Sequence, residues 1–253
     1  MKALVSTFVA AIALLSLVPA ATAAEIRVLT AGAMRAVIAA EVPAFEKKTG
    51  HTVVLQNDTA GGLAKRIAAG EAFDLAVITP RVVDDLIATG KIVAGSRLDL
   101  ARVGVGVAVK EGAAKPDIAT VDAFKRTLLA AKTVGYIDPK SGGSSGIYFD
   151  KLIEKMGIAD DIRAKARLQS GGYVAELVAK GEAEIAIHQI SEIIPVKGVV
   201  LVGPLPAEVQ SYTVYAAGIG AAARDAAAAK ALIAHLAAAD ATPALAARGM
   251  DRP

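Results

Sequence analysis

Glu25-Ile-Arg-Val-Leu-Thr30 is a strand-like segment, and Ala31-Gly-Ala-Met-Arg35 follows it as a turn of small residues. A helical pattern continues from this turn and ends at Thr49-Gly50. Free N–H groups and the positive end of the helix dipole converge at a helix N-terminus, which makes it a natural anion site. We therefore expect this strand, turn and helix to contribute to the binding of a small anionic solute.

Residues 1–24 are predicted to be an export signal. Lys2 supplies a positive charge, Ala3–Val18 is apolar apart from Ser and Thr, and Ala21-Thr22-Ala23 fits the A-x-A cleavage pattern. The apolar run is short for a membrane span, which disfavours an uncleaved anchor. We expect a mature chain of residues 25–253 in the periplasm, with no stable membrane insertion after cleavage.

The composition excludes several classes of function. Cysteine is absent and the three histidines are scattered, so neither a metal site nor a cofactor is expected. A chain without disulfides must be held together by packing, which suits the periplasm better than a small secreted domain. The formal net charge of +3 is nearly balanced and no basic block contains aromatic residues, so nucleic acid is not an expected partner.

Strand-like and helix-like segments alternate along the mature chain, which predicts an α/β fold. Pro43 lies inside the first helical pattern and is predicted to kink or divide that helix. The predicted strands are Ile26–Thr30, His51–Gln56, Asp74–Thr79, Arg102–Val109, Thr133–Ile137, Glu184–Gln189, Val199–Val202 and Tyr212–Gly218. The predicted helices are Val37–Lys48, Leu63–Ala69, Pro80–Thr89, Val121–Ala131, Gly146–Met156, Tyr173–Lys180 and Ala221–Ala239.

Two strand-like segments, 102–110 and 211–218, are unusually long, and the first contains Gly104 and Gly106. Glycine inside a strand marks a bend or a close approach of another group to the backbone. One interpretation is that both strands cross between two lobes, one made of residues 25–103 and 214–253, the other of residues 104–213. The alternative is a single doubly wound sheet, and these features leave both open.

Four predicted strands end in small or hydroxyl residues that run directly into a helix start. In open α/β sheets, ligands bind beyond the carboxyl ends of the strands. Glycine lets a ligand approach the backbone, and Ser and Thr add side-chain donors. We expect the four loops to share one anion pocket, and they span residues 30–35, 56–62, 78–81 and 138–146.

The loop at 138–146 also contains a Gly-x-Ser-x-Gly pattern centred on Ser144. This is the pattern of the nucleophile elbow in α/β-hydrolases. An elbow should follow its strand directly, but residues 138–141 intervene, and no His-Gly-Gly-Gly oxyanion motif is present. The hydrolase interpretation is therefore disfavoured against a loop whose N–H groups and hydroxyls surround an oxyanion.

Charged and titratable candidates flank these loops. Arg35 and Arg81 each fall in the first turn of a predicted helix, where an inward-pointing guanidinium would favour a carboxylate ligand. His188 ends a predicted strand and is the histidine best placed to line the pocket. His51 and His235 are expected to be structural.

The chain resembles the molybdate-binding-protein-like group of periplasmic solute-binding proteins. The resemblance rests on motifs spread over the mature chain: Pro43-Ala-Phe-Glu-Lys-Lys-Thr-Gly50, Thr59-Ala-Gly-Gly-Leu-Ala-Lys-Arg-Ile67, Gly70-Glu-Ala-Phe-Asp-Leu-Ala76, Lys180-Gly-Glu-Ala-Glu-Ile-Ala186 and Pro195-Val-Lys-Gly-Val199. It implies a type II periplasmic binding protein, with two α/β lobes joined by two crossing strands that close like a hinge. It also implies a monomer that delivers a small anion to an ABC permease.

The resemblance, together with the loops above, gives a set of expected ligand-binding residues. They are Ala33, Met34, Arg35, Thr59, Ala60, Gly61, Thr79, Arg81, Ser141, Gly143, Ser144, Ser145, His188 and Gln189.

The chain departs from that family at two pocket positions. Ala33 stands where a serine is expected, and His188-Gln189 stands where an aromatic hydroxyl is typical. These differences, with Arg35 and Arg81 nearby, make an organic di- or tricarboxylate a candidate beside molybdate and tungstate.

The same fold resembles that of aconitate isomerase, an exported enzyme that performs an allylic proton shift. That chemistry needs a base within reach of the substrate. On this alternative His188 would be the catalytic base, with Arg35 and Arg81 holding carboxylates.

Overall fold

The computed structural model describes residues 23–253. The predicted export signal lies outside them, apart from its last two residues. Strands and helices alternate, as expected for an α/β fold. In chain order the strands are β1 (Glu25–Ala31), β2 (Thr52–Asp58), β3 (Leu75–Ile78), β4 (Leu98–Lys110), β5 (Val134–Ile137), β6 (Ala166–Gln169), β7 (Ile185–Gln189), β8 (Val199–Pro204), β9 (Tyr212–Ile219) and β10 (Met250–Asp251).

Helices follow most of the strands, and none within residues 23–253 has the length and apolar character needed to cross a bilayer. The helices are α1 (Gly32–Thr49), α2 (Ala60–Ala68), α3 (Pro80–Ala88), α4 (Val121–Ala130), α5 (Ser144–Lys155), α6 (Ala159–Ala164), α7 (Ala175–Ala179), α8 (Ile190–Ile193), α9 (Ala226–Ala237) and α10 (Thr242–Ala246).

Helix α1 is not divided at Pro43 and runs as one element to Thr49. The proline removes the N–H that would pair with the carbonyl of Ala39. Both residues are exposed, so water can satisfy that carbonyl and the helix continues. The helix ends where expected, at Gly50 in the left-handed conformation with φ 75°.

One curled sheet contains all ten strands. Its main path runs β2-β1-β3-β9-β4-β7-β5-β6, and β8 and β10 pair with β4. β1 is parallel to β2 and β3, and β5 is parallel to β6 and β7, which gives two parallel groups. The long strands β4 and β9 run antiparallel between these groups.

Separate apolar clusters pack on the two parallel groups. Leu100, Ala101 and Val103 of β4 belong to the cluster around β1 and α1, whereas Val105 and Val107 belong to the cluster around β5 and α5. Along β4, the residues before Gly104 thus pack in one apolar cluster and those after it pack in the other. This is consistent with the predicted lobes of 25–103 with 214–253 and of 104–213, whose bounds remain a prediction.

The two glycines of β4 allow close approaches, as predicted. The side-chain amide of Gln210 exchanges two 2.9 Å hydrogen bonds with the backbone of Val105, and a Cβ on Gly104 would lie 3.1 Å from the amide nitrogen. A Cβ on Gly106 would lie 2.8 Å from Ile190 Cγ1. Gln210 and Ile190, the first residue of α8, are therefore packed directly on the backbone of this long strand.

Gly146 sets how closely α5 packs against β5. A Cβ at this position would lie 2.1 Å from the carbonyl oxygen of Ile137, a backbone atom that cannot swing aside. We expect Gly146→Ala to lower the free energy of unfolding by about 2 kcal/mol, because overpacking typically costs about 1–3 kcal/mol. At a solvent-exposed helix position, where the added methyl group meets nothing, a Gly→Ala change would instead stabilise the protein by up to about 1 kcal/mol.

Urea unfolding measures this difference. Gly203→Ala is the control, since its added Cβ would meet only Ile118 Cδ1 at an ordinary 3.8 Å. An unchanged or increased stability of Gly146→Ala would contradict the proposed contact.

Candidate functional site

Three helix N-termini meet at one small cavity between the two parallel groups of the sheet. α1 follows β1 directly, α2 follows β2 after Thr59, and α5 follows β5 after a short 3₁₀ turn. The first turn of each helix leaves N–H groups without intrahelical partners, and the three positive dipole ends add together. The cavity has a volume of about 30 Å³ and is lined by Gly32, Asp58, Thr59, Ala60, Ile137, Gly143, Ser144, Ser145, Gly172, His188 and Glu192.

Direct contacts close this cavity. Thr59 Oγ1 donates to the carbonyl of Ser141 at 2.5 Å, and the N–H of Gly61 donates to the carbonyl of Gly142 at 3.2 Å. A space of about 30 Å³ holds one or two waters and is far smaller than the space a drug-sized ligand needs. A ligand of several carbons can therefore enter only if the two sides separate.

A second set of contacts lies deeper in the closed cleft. Gln189 donates from Nε2 to Ser144 Oγ at 3.1 Å and to Thr213 Oγ1 at 2.8 Å. Ser144 Oγ also lies 3.4 Å from the hydroxyl of Tyr215, whose pKa is strongly raised, above all by burial. The tyrosine therefore stays a neutral hydroxyl and can donate to an anion.

A buried histidine and a buried glutamate face each other at the cavity wall. His188 lies near the end of β7 and Glu192 lies in α8, which begins directly after that strand. Glu192 Oε2 is 3.4 Å from His188 Nε2. Burial raises the pKa of Glu192 to about 8 and lowers the pKa of His188 to about 3. At neutral pH the carboxyl mostly keeps its proton and the imidazole is neutral.

Most of the sequence-predicted pocket residues come together at this cleft. Thr59, Ala60, Gly143, Ser144, Ser145 and His188 line the cavity. Gly61, Ser141 and Gln189 take part in the contacts that close it.

Other predicted residues lie elsewhere. Ala33 and Met34 are each 1% exposed and pack into the core, because they sit on the inner face of α1; Gly32 reaches the cavity instead. Thr79 precedes α3 without lining the cavity. The side chain of Arg81 is 92% exposed and its nearest charged partner is Asp85, at 4.0 Å. Arg81 therefore points to solvent and not into the site.

Arg35 lies near the cleft, at its edge. Its guanidinium lies 5.8 Å from the ring centroid of Tyr173. Burial raises the pKa of Tyr173, Arg35 and Arg248 oppose that shift, and Glu192 adds to it. In residues 23–253 neither arginine has a carboxylate within 4.0 Å, and both remain available to a ligand.

The pattern of Gly142–Gly146 shows no nucleophile–histidine contact within residues 23–253. Within the described part of the chain, Ser144 Oγ is bonded to Gln189 and lies near Tyr215, and no imidazole contacts it. The triad geometry that would activate a serine requires such a contact. Gly146 is explained by its packing against Ile137.

Sequence reasoning missed Glu192 and Asp58 as lining residues. Asp58 accepts a 2.7 Å hydrogen bond from the N–H of Thr59 and lies 3.7 Å from Arg66, so its charge is compensated. The signal for Glu192 was its spacing of four from His188, directly after a buried strand. That spacing alone does not bring the two side chains together, since His188 belongs to β7 and Glu192 to α8.

A family model described as bacterial extracellular solute-binding protein matches residues 26–251. The chain belongs to this family. Aconitate isomerase from a Pseudomonas species is 34% identical over 224 residues, which cover 86% of this chain and 84% of that protein. The match extends over both predicted lobes.

Solved structures confirm the predicted fold class. The periplasmic molybdate-binding protein of Azotobacter vinelandii superposes with a TM-score of 0.77 at 20% identity, covering 90% of this chain and 99% of that one. The sulfate-binding protein SubI of Mycobacterium tuberculosis gives a TM-score of 0.73 at 17% identity, covering 90% and 87%. The chain has the two-lobed α/β fold of periplasmic binding proteins.

The buried pair should make stability depend on pH. The pKa of the Glu192 carboxyl rises from its ordinary value of 4.5 to about 8 on folding. Between pH 4.5 and 8 the folded state therefore holds a proton that the unfolded chain has lost. Its contribution to the free energy of unfolding therefore falls as pH rises. The pKa of His188 falls from its ordinary value of 6.5 to about 3, so this residue acts in the opposite direction below pH 6.5.

Between pH 6.5 and 8, Glu192 is the one member of this pair that makes the free energy of unfolding depend on pH. We expect the free energy of unfolding to fall there by up to about 1.4 kcal/mol per pH unit. Urea unfolding of Glu192→Gln at several pH values should give a flatter profile. Glu208→Gln, at an exposed position, should keep the original slope. Equal slopes in the two variants would contradict the assignment.

Proposed function

We propose that this solute-binding protein captures a small organic anion with two or more carboxylates, by closing its lobes around it. The observation that carries the proposal is the convergence of α1, α2 and α5 on one cavity shared by both sides of the cleft. Their free N–H groups and the hydroxyls of Thr59, Ser144 and Ser145 would bind one carboxylate. Closure would exclude water and strengthen those hydrogen bonds.

Two features favour a carboxylate over molybdate. Arg35 lies at the edge of the cleft without an acidic partner among residues 23–253, and it can take a second carboxylate of a longer ligand. Glu192 is a neutral carboxyl at the cavity, so it can donate a hydrogen bond to an anion instead of repelling it. The Pseudomonas relative, whose name states an action on aconitate, supports the same class of ligand.

Family membership supports the remaining parts of the proposal. The protein would work in the periplasm as a monomer and pass its ligand to an ABC permease. The lobes would part to admit the ligand and would present a closed surface to the permease.

Thermal-shift measurements test the ligand class. Citrate, cis-aconitate and trans-aconitate should raise the melting temperature, and molybdate and sulfate should raise it less. A ligand at one hundred times its Kd stabilises the folded state by about 2.7 kcal/mol. If none of these anions shifts the melting temperature, the binding proposal is wrong.

Arginine variants refine that test. Arg35→Ala should weaken citrate binding by about tenfold, because it removes a cation at the cleft edge. Arg81→Ala is the matched control and should bind as the wild type does, since its side chain is 92% exposed. Equal losses in both variants would contradict the proposed placement of the ligand.

A second candidate function is isomerisation of a tricarboxylate by an allylic proton shift. The specific observation in its favour is a proton-carrying pair, His188 and Glu192, at the cavity wall. The Pseudomonas relative points to the same chemistry. Incubation of the purified protein with cis- or trans-aconitate should then interconvert them, as followed by chromatography. If binding occurs without interconversion, the protein is a binding protein only.

A further inference from the structure

We propose that Glu192 is the residue that moves the proton between two carbons of the bound ligand, with His188 as its positioning residue. This inference rests on the second candidate function and replaces the sequence-based assignment of His188 as the base. The juxtaposition that carries it is a buried carboxyl at the cavity wall, between the imidazole of His188 and the first turn of α1.

The Glu192 carboxyl reaches the place where an anion would be held. A Cβ on Gly32, the first residue of α1, would lie 2.2 Å from Glu192 Oε1. The carboxyl is therefore packed against the backbone at the helix start. First-turn residues of α1 and of α5 line the same cavity, so a carboxylate bound there would bring its neighbouring carbons next to Glu192.

Glu192 lacks the hydrogen bonds that a purely structural buried carboxyl would have. The residue is 7% exposed, and within residues 23–253 its one close polar partner is His188 Nε2 at 3.4 Å. His188 Nδ1 is also buried without a partner in that part of the chain. Buried polar atoms normally have a partner, so the unpaired Nδ1 of His188 beside this carboxyl needs an explanation, which a ligand or a catalytic role would supply.

His188 is the poorer base of the two. Burial lowers its pKa to about 3, whereas burial raises the pKa of Glu192 to about 8. A group with a pKa near the working pH is the more effective proton carrier. The imidazole directs Nε2 at the carboxyl, so it can orient Glu192. The other titratable groups near Glu192 are Asp58 on the cavity wall, Tyr173 with its two arginines, and Tyr215.

The step is balanced without any co-reactant. Ionised Glu192 would take a proton from the methylene carbon of aconitate, and the electron pair of the broken C–H bond would form the new C=C bond. The electron pair of the old C=C bond would then take a proton from the Glu192 carboxyl, which can first exchange its proton with water, at the former vinylic carbon. No electrons enter or leave, and Glu192 ends ionised as it began.

Proton exchange in D2O tests this assignment. Wild-type protein with cis-aconitate should place deuterium at the allylic carbons, followed by NMR. Glu192→Gln should still give a thermal shift with citrate, yet lose deuterium exchange by about a hundredfold or more. Glu192→Asp should regain part of the exchange. His188→Gln should keep measurable exchange with a displaced pH profile, which a merely structural residue would not show.

The outcomes separate this inference from the proposed function. If citrate and aconitate give no thermal shift with the wild type, both fail. Binding without exchange overturns the assignment of Glu192 and leaves the binding proposal standing. Exchange that survives in Glu192→Gln overturns the assignment alone.

A measurement on the wild type alone guards against a misfolded variant. The second-order rate of exchange at low cis-aconitate should rise with pH, following a group of pKa about 8 in the free protein. A profile set by a group of pKa about 3 would assign the step to the imidazole of His188 and overturn the proposal.

Discussion

The site depends on how closely two backbones approach across the cleft. The N–H of Gly61 donates to the carbonyl of Gly142 at 3.2 Å, and a Cβ on Gly61 would lie 2.7 Å from Gly142 Cα. Any side chain at either position would hold the N-termini of α2 and α5 apart. Because the anion site consists of several helix N-termini acting together, this glycine pair decides whether the donors converge or stay separate.

Converging helix ends explain how the cavity can attract an anion without a cation inside it. The lining residues include no Lys or Arg, and the pKa shifts keep His188 and Glu192 mostly neutral at physiological pH. The attraction then comes from oriented N–H groups and hydroxyls, which cost less free energy to bury without a ligand than a charged side chain would. Arg35 lies at the edge, where its charge remains hydrated and can still guide an anion inward.

Much of this could be predicted from the sequence because the determinants are local. A buried strand, a small-residue turn and a helix start define each predicted loop, and the loops of Thr59 and Ser144 do line one cavity. The short elements α6, β6 and α8 were missed, since few residues carry their periodicity. The sequence also does not show that Ala33 faces the core while Gly32 faces the cavity. The rotation of α1 about its own axis decides which of these neighbouring residues points to the cavity.

Tertiary contacts decided the rest. Arg35 and Arg81 occupy equivalent positions in the sequence pattern, yet only Arg35 has a neighbouring ring, Tyr173, to pack on near the cleft. Glu192 is a polar residue in a short segment, and its importance comes from burial by α1, which is distant in sequence. Such burial depends on which helices pack together, and local pattern does not encode it.

The order of strands in the sheet has a consequence for folding during export. β9 lies between β3 and β4, and the apolar cluster around β1 and α1 also contains Leu232 of α9 and Met250 of β10. The part of the molecule that begins the chain thus needs the last residues to close its core. If the chain emerges N-terminus first on the far side of a membrane, β1 to β3 must wait until β9 arrives, whereas the cluster of residues 105–205 is already complete.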